Sequence, residues 1–347
     1  VINVGQEAVY FDHAIPQKYG VLQQVADTIG PGGVFRGLRA GPALLEIARD
    51  VERLCPDAWL LNYTNPMAIV TWAISEATRV KVVGLCHSVQ GTSQQLAGYI
   101  GVPYEEVSYW VAGINHMAWF LEFAHQGRDA YPLLREAMND PDIYAKDPVR
   151  FEILRHFDYF VTESTRHMSE YVPYFRKNRT LVERFGLDTP KLEPGRWTDR
   201  WERHKESVRQ QIAGQAPIPE QASKEYASGI IHSLVTGEPR RINGNVPNRR
   251  LITNLPEGCC VEVPCLVDGA GLRPCFVGDL PAQCAALNRS NIGLQEMAVH
   301  AILERDRHKA FQAVCLDPLA SAVLTLDEIR QMVDEMFEAE AEWLSVR

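Results

Sequence analysis

Hydrophobic and polar positions alternate along this chain with two distinct periods. Across residues 42–55 the apolar side chains Leu44, Ile47, Ala48 and Val51 fall on one helical face, with Glu46, Arg49, Asp50 and Arg53 opposite. Pro56 closes that helix. Residues 58–61 read as a short strand ending in Asn62-Tyr-Thr-Asn-Pro66. Residues 67–77 are apolar on most sides, as expected of a buried crossover helix, and 80–85 form a second apolar strand. Strand, helix and strand with short connections predict a βαβ unit and hence parallel strands. Runs at 107–112 and 118–124 predict two further strands.

Beyond residue 129 the pattern changes to long helices with irregular connections, predicted over 145–157, 198–212, 220–236 and 291–315, the second opening on Thr198 as N-cap. Residues 240–277 carry short strand signals broken by Asn-Gly, Pro-Glu-Gly and Asp-Gly turns. Thr325-Leu-Asp-Glu328 is a capping box, and Ile329, Met332, Val333, Met336 and Phe337 give the following helix a buried stripe. The fold class expected is α/β: the remainder of a Rossmann-like parallel-sheet domain over 1–112, then a mixed α+β domain over 113–347.

Composition narrows the function. The net charge of −9, without a basic run, argues against nucleic-acid binding. No apolar run approaches membrane-spanning length. The 8 cysteines are scattered without a small-scaffold pattern, which suits reduced thiols in the cytoplasm.

Candidate chemistry gathers at predicted strand ends, where open α/β sheets place ligands. Cys86 and His87 follow the strand 80–85, and Asn115 and His116 follow the strand 107–112. A thiolate with an imidazole suits a borderline divalent transition ion, although a lone cysteine after a strand is more often a small buried hydrophobe. Gly30-Pro-Gly-Gly33 reads as a turn, with an anion cradle as the rarer use of such a cluster. Asn62 and Asn65 lie at the end of the strand 58–61, and Asn-Pro is a routine turn starter. In the segment 162–173, His167, Glu170 and Tyr171 stand on what reads locally as a charged helical turn.

Taken as words, Cys86-His-Ser88 and Gly113-Ile-Asn-His116 resemble glycoside hydrolase family 4, the glycosidases that use NAD and a divalent metal. The likeness runs from Asp27-Thr-Ile-Gly-Pro-Gly-Gly33 through Asn245-Val-Pro-Asn248 and 254–264 to the last helix. It implies oxidation at the sugar's C3 by NAD, metal-assisted deprotonation at C2, elimination of the leaving group and addition of water. It implies Cys86 and His116 as ligands of Mn²⁺ or a similar metal, and His87 as the acid. Tyr171 and His167 compete for the base. It places Asn62 and Asn65 near the cofactor, and Asn65, Asn115, Asp27, Arg36 and Glu170 near the sugar.

His-Ser-Val-Gln-Gly after Cys86 resembles the members acting on unphosphorylated α-galactosides such as melibiose, with α-galacturonides and α-glucosides as alternatives. The resemblance also implies a cytoplasmic homo-oligomer, a dimer or tetramer. The family's Gly-x-Gly-x-x-Gly loop is not found, and the chain starts at Val1 rather than Met, as expected of a sequence whose beginning is absent. A metal-independent NAD dehydrogenase and an inactive fragment are the competing classes.

Overall fold

A computed structural model describes residues 4–218 and 225–345. The first residues of the helix expected over 220–236 lie outside the described residues, and its described part is the helix Tyr226–Thr236. Strands β1 (Trp59–Asn62) and β2 (Lys81–Gly84) are parallel and joined by the helix Met67–Ala77, as the βαβ pattern predicts. They are followed by β3 (Val107–Ile114), β4 (Met117–His125), β5 (Arg128–Asp129), β6 (Arg240–Pro247), β7 (Cys260–Asp268) and β8 (Gly271–Pro274).

The strands form one sheet in the order β1-β2-β6-β7-β3-β4-β5, with β8 on the side of β7. Beyond the β1–β2 pair the other pairings between these strands are antiparallel. β6 and β7 insert between β2 and β3, so the sheet runs continuously across residues 112 and 113.

Burial follows the pleat. In β4, Met117 and Trp119 enter the main core while Ala118 and Phe120 enter a second apolar cluster with Phe123, Phe151 and Phe160. The strand is therefore dry on both faces at its start, which explains its apolar run. The helices Gly30–Leu54, Met67–Ala77 and Ala282–Glu304 pack together against the main core. The capping box at Thr325 is present, and the five stripe residues of its helix are all buried. All 8 cysteines are free.

Four local expectations are corrected. The glycine cluster is the first turn of the helix Gly30–Leu54 rather than a separate turn. Pro31 supplies a preset helical φ, and the Gly32 N–H is taken by Gln23 Oε1. A Cβ at Gly33 would lie 2.7 Å from the Thr28 carbonyl carbon, so only glycine admits this close approach. The helix expected over 291–315 is two helices, Ala282–Glu304 and Arg307–Cys315. Arg305 breaks the chain with φ 57°, and Asp306 caps the second helix by accepting from the His308 and Lys309 N–H groups. Thr198 is not an N-cap: the helix is Arg196–Ile212, and the Thr198 hydroxyl donates back to the Gly195 carbonyl. Asn243-Gly244 is no turn but the interior of β6, where the Asn243 amide donates to the Val111 carbonyl.

Candidate active site

One row of register crosses four neighbouring strands: Gly84 faces Asn245, Asn245 faces Glu262, and Glu262 faces Gly113. Cys86 and His116 lie just beyond the two ends of that row. Asn115 and His116 form the tight connection between β3 and β4, where Ile114 pairs with Met117. A Cβ at Gly113 would meet the Met117 carbonyl oxygen at 2.5 Å, so the hairpin closes only over glycine. His116 itself has φ 64°. A histidine held in the left-handed region is a strained choice that packing around it must offset.

Cys86 Sγ is 3.4 Å from His116 Nε2, and that nitrogen is 3.3 Å from Glu163 Oε2. The three donor atoms lie within 4.8 Å of one another. Glu163 also has positive φ, 79°, so the chain bends sharply to bring it in. Burial opposes charge on Glu163, but His116 and His167 outweigh it and hold the carboxyl at about 2. Burial and the Glu163 charge push the Cys86 thiol up, and Ser88 partly offsets them. One thiol, one imidazole and one ionised carboxylate make a set that a borderline divalent cation satisfies.

A chain of hydrogen bonds leads away from this cluster. Tyr171 Oη lies 3.4 Å from His116 Nδ1 and donates to Thr28 Oγ1 at 2.8 Å. Thr28 Oγ1 is 2.7 Å from His167 Nε2, which is 3.7 Å from Asp27 Oδ1. The His167 ring meets the rings of His116 and Tyr171 edge-on. Burial raises the Tyr171 hydroxyl well above its usual range, with the Asp27, Glu163 and Glu170 charges adding to it against the pull of Thr28.

The residues expected to touch ligands divide into two groups. Asp27 Oδ2 accepts from Asn65 Nδ2 at 2.9 Å and sits 4.0 Å from Arg36, while its Oδ1 is buried without a hydrogen bond. Asn115 is buried with its side-chain nitrogen unpartnered. These polar atoms are in place for a ligand. Asn62, by contrast, uses its amide within the fold: it donates to Thr71 Oγ1 and accepts from the Thr64 N–H.

Glu170 accepts from the Gln24, Val25 and Ala26 N–H groups, which fixes the loop carrying Asp27 and Thr28. Burial opposes its charge, but His167, Arg176 and the Val25 N–H hold it at about 2. His87 points to solvent, its side chain 74% exposed, with Nδ1 3.2 Å from Glu225.

Two carboxyls here were not singled out from the sequence. Glu163 lies inside the segment 162–173, yet a lone glutamate in a loop carries no periodic signal. Glu262 is fully buried in β7, neither oxygen has a hydrogen-bond partner, and burial pushes its carboxyl well above the usual range. Its signal was present, as a charge inside the apolar run Val261-Glu262-Val263.

Comparison with known proteins identifies the family of the chain. Residues 1–102 match the model of the family 4 glycosyl hydrolases, and residues 111–320 match the model of that family's C-terminal domain. An α-galactosidase of Bacillus subtilis is 43% identical over 99% of this chain and 81% of its own. An α-galactosidase of Rhizobium meliloti is 37% identical over 98% of this chain and 72% of its own. A crystal structure of a 6-phospho-α-glucosidase from gut microorganisms, in complex with NAD and Mn²⁺, shares the fold. Its TM-score is 0.78 at 21% identity, over 99% of this chain and 80% of that one. With both parts of the chain matched in order and a near-full-length relative at this identity, the chain belongs to glycosyl hydrolase family 4.

Proposed function

We propose that this chain hydrolyses unphosphorylated α-galactosides, melibiose among them, by redox-assisted elimination with NAD and a divalent metal, Mn²⁺ or a close substitute. The observation that carries the reading is the part-buried Cys86, His116 and Glu163 cluster with a hydroxyl–imidazole chain beginning 3.4 Å from it. The choice of sugar rests on the identity with the two α-galactosidases.

Cys86, His116 and Glu163 would hold the metal. NAD fits the ligand edge formed by the carboxyl ends of β1 and β2, where Asn65 stands part-exposed. When bound, NAD supplies a hydride acceptor and donor, and the metal a Lewis acid that stabilises oxyanion character on the sugar. The chain's own residues then have distinct tasks. Tyr171 Oη takes the proton from the sugar carbon as it passes its own to Thr28 Oγ1, whose hydroxyl proton moves in turn to His167 Nε2, so the proton ends on the imidazole. Asp27 and Asn115 offer polar atoms to the sugar hydroxyls, with Asn65 and Arg36 orienting Asp27. His87, the acid that the family resemblance implies, stands exposed with Glu225 3.2 Å from its Nδ1. The reading extends to a cytoplasmic homo-oligomer. Among the described residues no helix is long and apolar enough to cross a membrane.

The test is hydrolysis of p-nitrophenyl α-galactoside with NAD⁺, Mn²⁺ and a thiol reductant, each omitted in turn. Release that requires both NAD⁺ and the metal is the expected result. Release from an α-galacturonide or α-glucoside alone would change the sugar and keep the chemistry. Release that persists in chelator would show that hydrolysis needs no metal.

A further inference from the structure

Asp27, 3.7 Å from His167, and Arg36 beside it also face a second space. They line a cavity of about 470 Å³ that also has residues of the helix Arg196–Ile212 in its wall. The volume falls within the roughly 300–1,000 Å³ of small-molecule sites. Trp197, Arg200 and Trp201 reach the cavity from that helix, and His13 lines it from the protein body.

Packing does not explain this wall. None of the residues of the helix Arg196–Ile212 is buried, and Trp201 remains 42% exposed. Trp197 stacks on the His13 ring, centroids 5.1 Å apart and planes 10° from parallel, which fixes one indole, while Trp201, one turn on, has only the His204 ring beside it, 5.6 Å away and tilted by 30°. His13 is 5% exposed, yet its Nδ1 has no hydrogen-bond partner. A buried ring nitrogen without a partner costs free energy unless a ligand or water satisfies it. Arg200 forms no ion pair among the described residues, so its guanidinium is available for hydroxyl groups.

A part-exposed indole beside two guanidinium groups and an imidazole matches a pyranose ring. Its C–H face packs on the aromatic surface, and its hydroxyl rim takes hydrogen bonds. We propose that this cavity is the subsite for a leaving group that is itself a sugar, with Trp201 as its platform and Arg200 and His13 as its polar contacts. The inference rests on the α-galactosidase reading, because the cavity meets the site through Asp27.

The test compares kcat/KM for methyl α-galactoside and for galactosyl-α-1,6-glucose. Both leaving groups are alkyl alcohols, so intrinsic reactivity nearly cancels and the ratio reads contacts to the second ring. The full-length wild-type enzyme, with NAD⁺ and Mn²⁺, is expected to favour the disaccharide by tenfold or more, roughly the 1.4 kcal/mol of one good contact. Trp201→Ala and Arg200→Ala should each remove most of that preference while leaving kcat/KM for the methyl glycoside within about twofold of the wild type, and Trp201→Phe should retain part of it. Equal kcat/KM for the two substrates in the wild type would overturn the subsite and leave the α-galactosidase reading standing. Equal losses on both substrates in the variants would also overturn it, assigning these residues to the galactose ring or to folding. Turnover of neither substrate by the wild type would sink the α-galactosidase reading and the subsite with it.

Discussion

His116 and Glu163 are both held with positive φ, a conformation costing an L residue roughly 1–2 kcal/mol. The same two side chains meet Cys86, so the strain sits where donor atoms must converge. Tyr171 is expected to be the residue of this group whose loss affects rate more than binding. Tyr171→Phe keeps the ring packing and deletes the hydroxyl, so kcat should fall by two orders of magnitude or more, on the scale of lost acid–base catalysis. Metal affinity, measured by calorimetry, should stay close to wild type. A variant with unchanged kcat would pass the role to His167.

Asp317 gives a pH prediction away from the site. Burial above all pushes its carboxyl to about 7, with a smaller contribution from the Glu170 charge against the Ala320 N–H. The folded state therefore keeps a proton that the unfolded chain releases near pH 4. Its stability contribution is full below that point and is lost as pH rises towards 7, on the order of 4 kcal/mol for ionisation in place. Asp317→Asn should flatten this slope, so urea midpoints of variant and wild type diverge in the variant's favour between pH 4 and pH 7. Parallel curves would contradict the burial argument. Residue types with specific chemistry in a motif, Cys86 and His116, were legible in the sequence. Glu163 was not, because its role depends on a sharp bend that brings it to residues far away in the chain.

At the scale of elements, local pattern served where burial is one-sided or complete over a whole element. The βαβ unit and the final capped helix emerged as their periods predicted. The glycine cluster is a helix start and not the turn expected of it, because glycine and proline mark both, and only the neighbouring segment of chain decides between them. Here the neighbour is Thr28, whose backbone leaves no room for a Cβ at Gly33. Gly33→Ala should therefore destabilise the protein by about 1–3 kcal/mol, the usual range for overpacking, and lower kcat by displacing Thr28 from Tyr171 and His167. Thermal melting reads the first effect and the galactoside assay the second. An unchanged melting temperature would show that the helix start has slack.

At the scale of the whole molecule, the pairing of β2 with β6 and of β3 with β7 was not legible, since long-range register leaves no trace in local periodicity. That pairing nevertheless makes the site. It lines up Gly84, Asn245, Glu262 and Gly113 across the sheet, and the two histidine- and cysteine-bearing connections meet beyond the row's ends. One fold-level arrangement thereby creates one candidate metal centre from three distant segments. The most direct measurement is Mn²⁺ binding by calorimetry to wild type, Cys86→Ser and Glu163→Gln, with circular dichroism to verify folding. The wild type should bind one ion, and each variant should keep its fold and lose at least tenfold in affinity, in line with removal of one charged ligand. Folded variants that bind Mn²⁺ as tightly as the wild type would contradict the assignment of the centre to these residues.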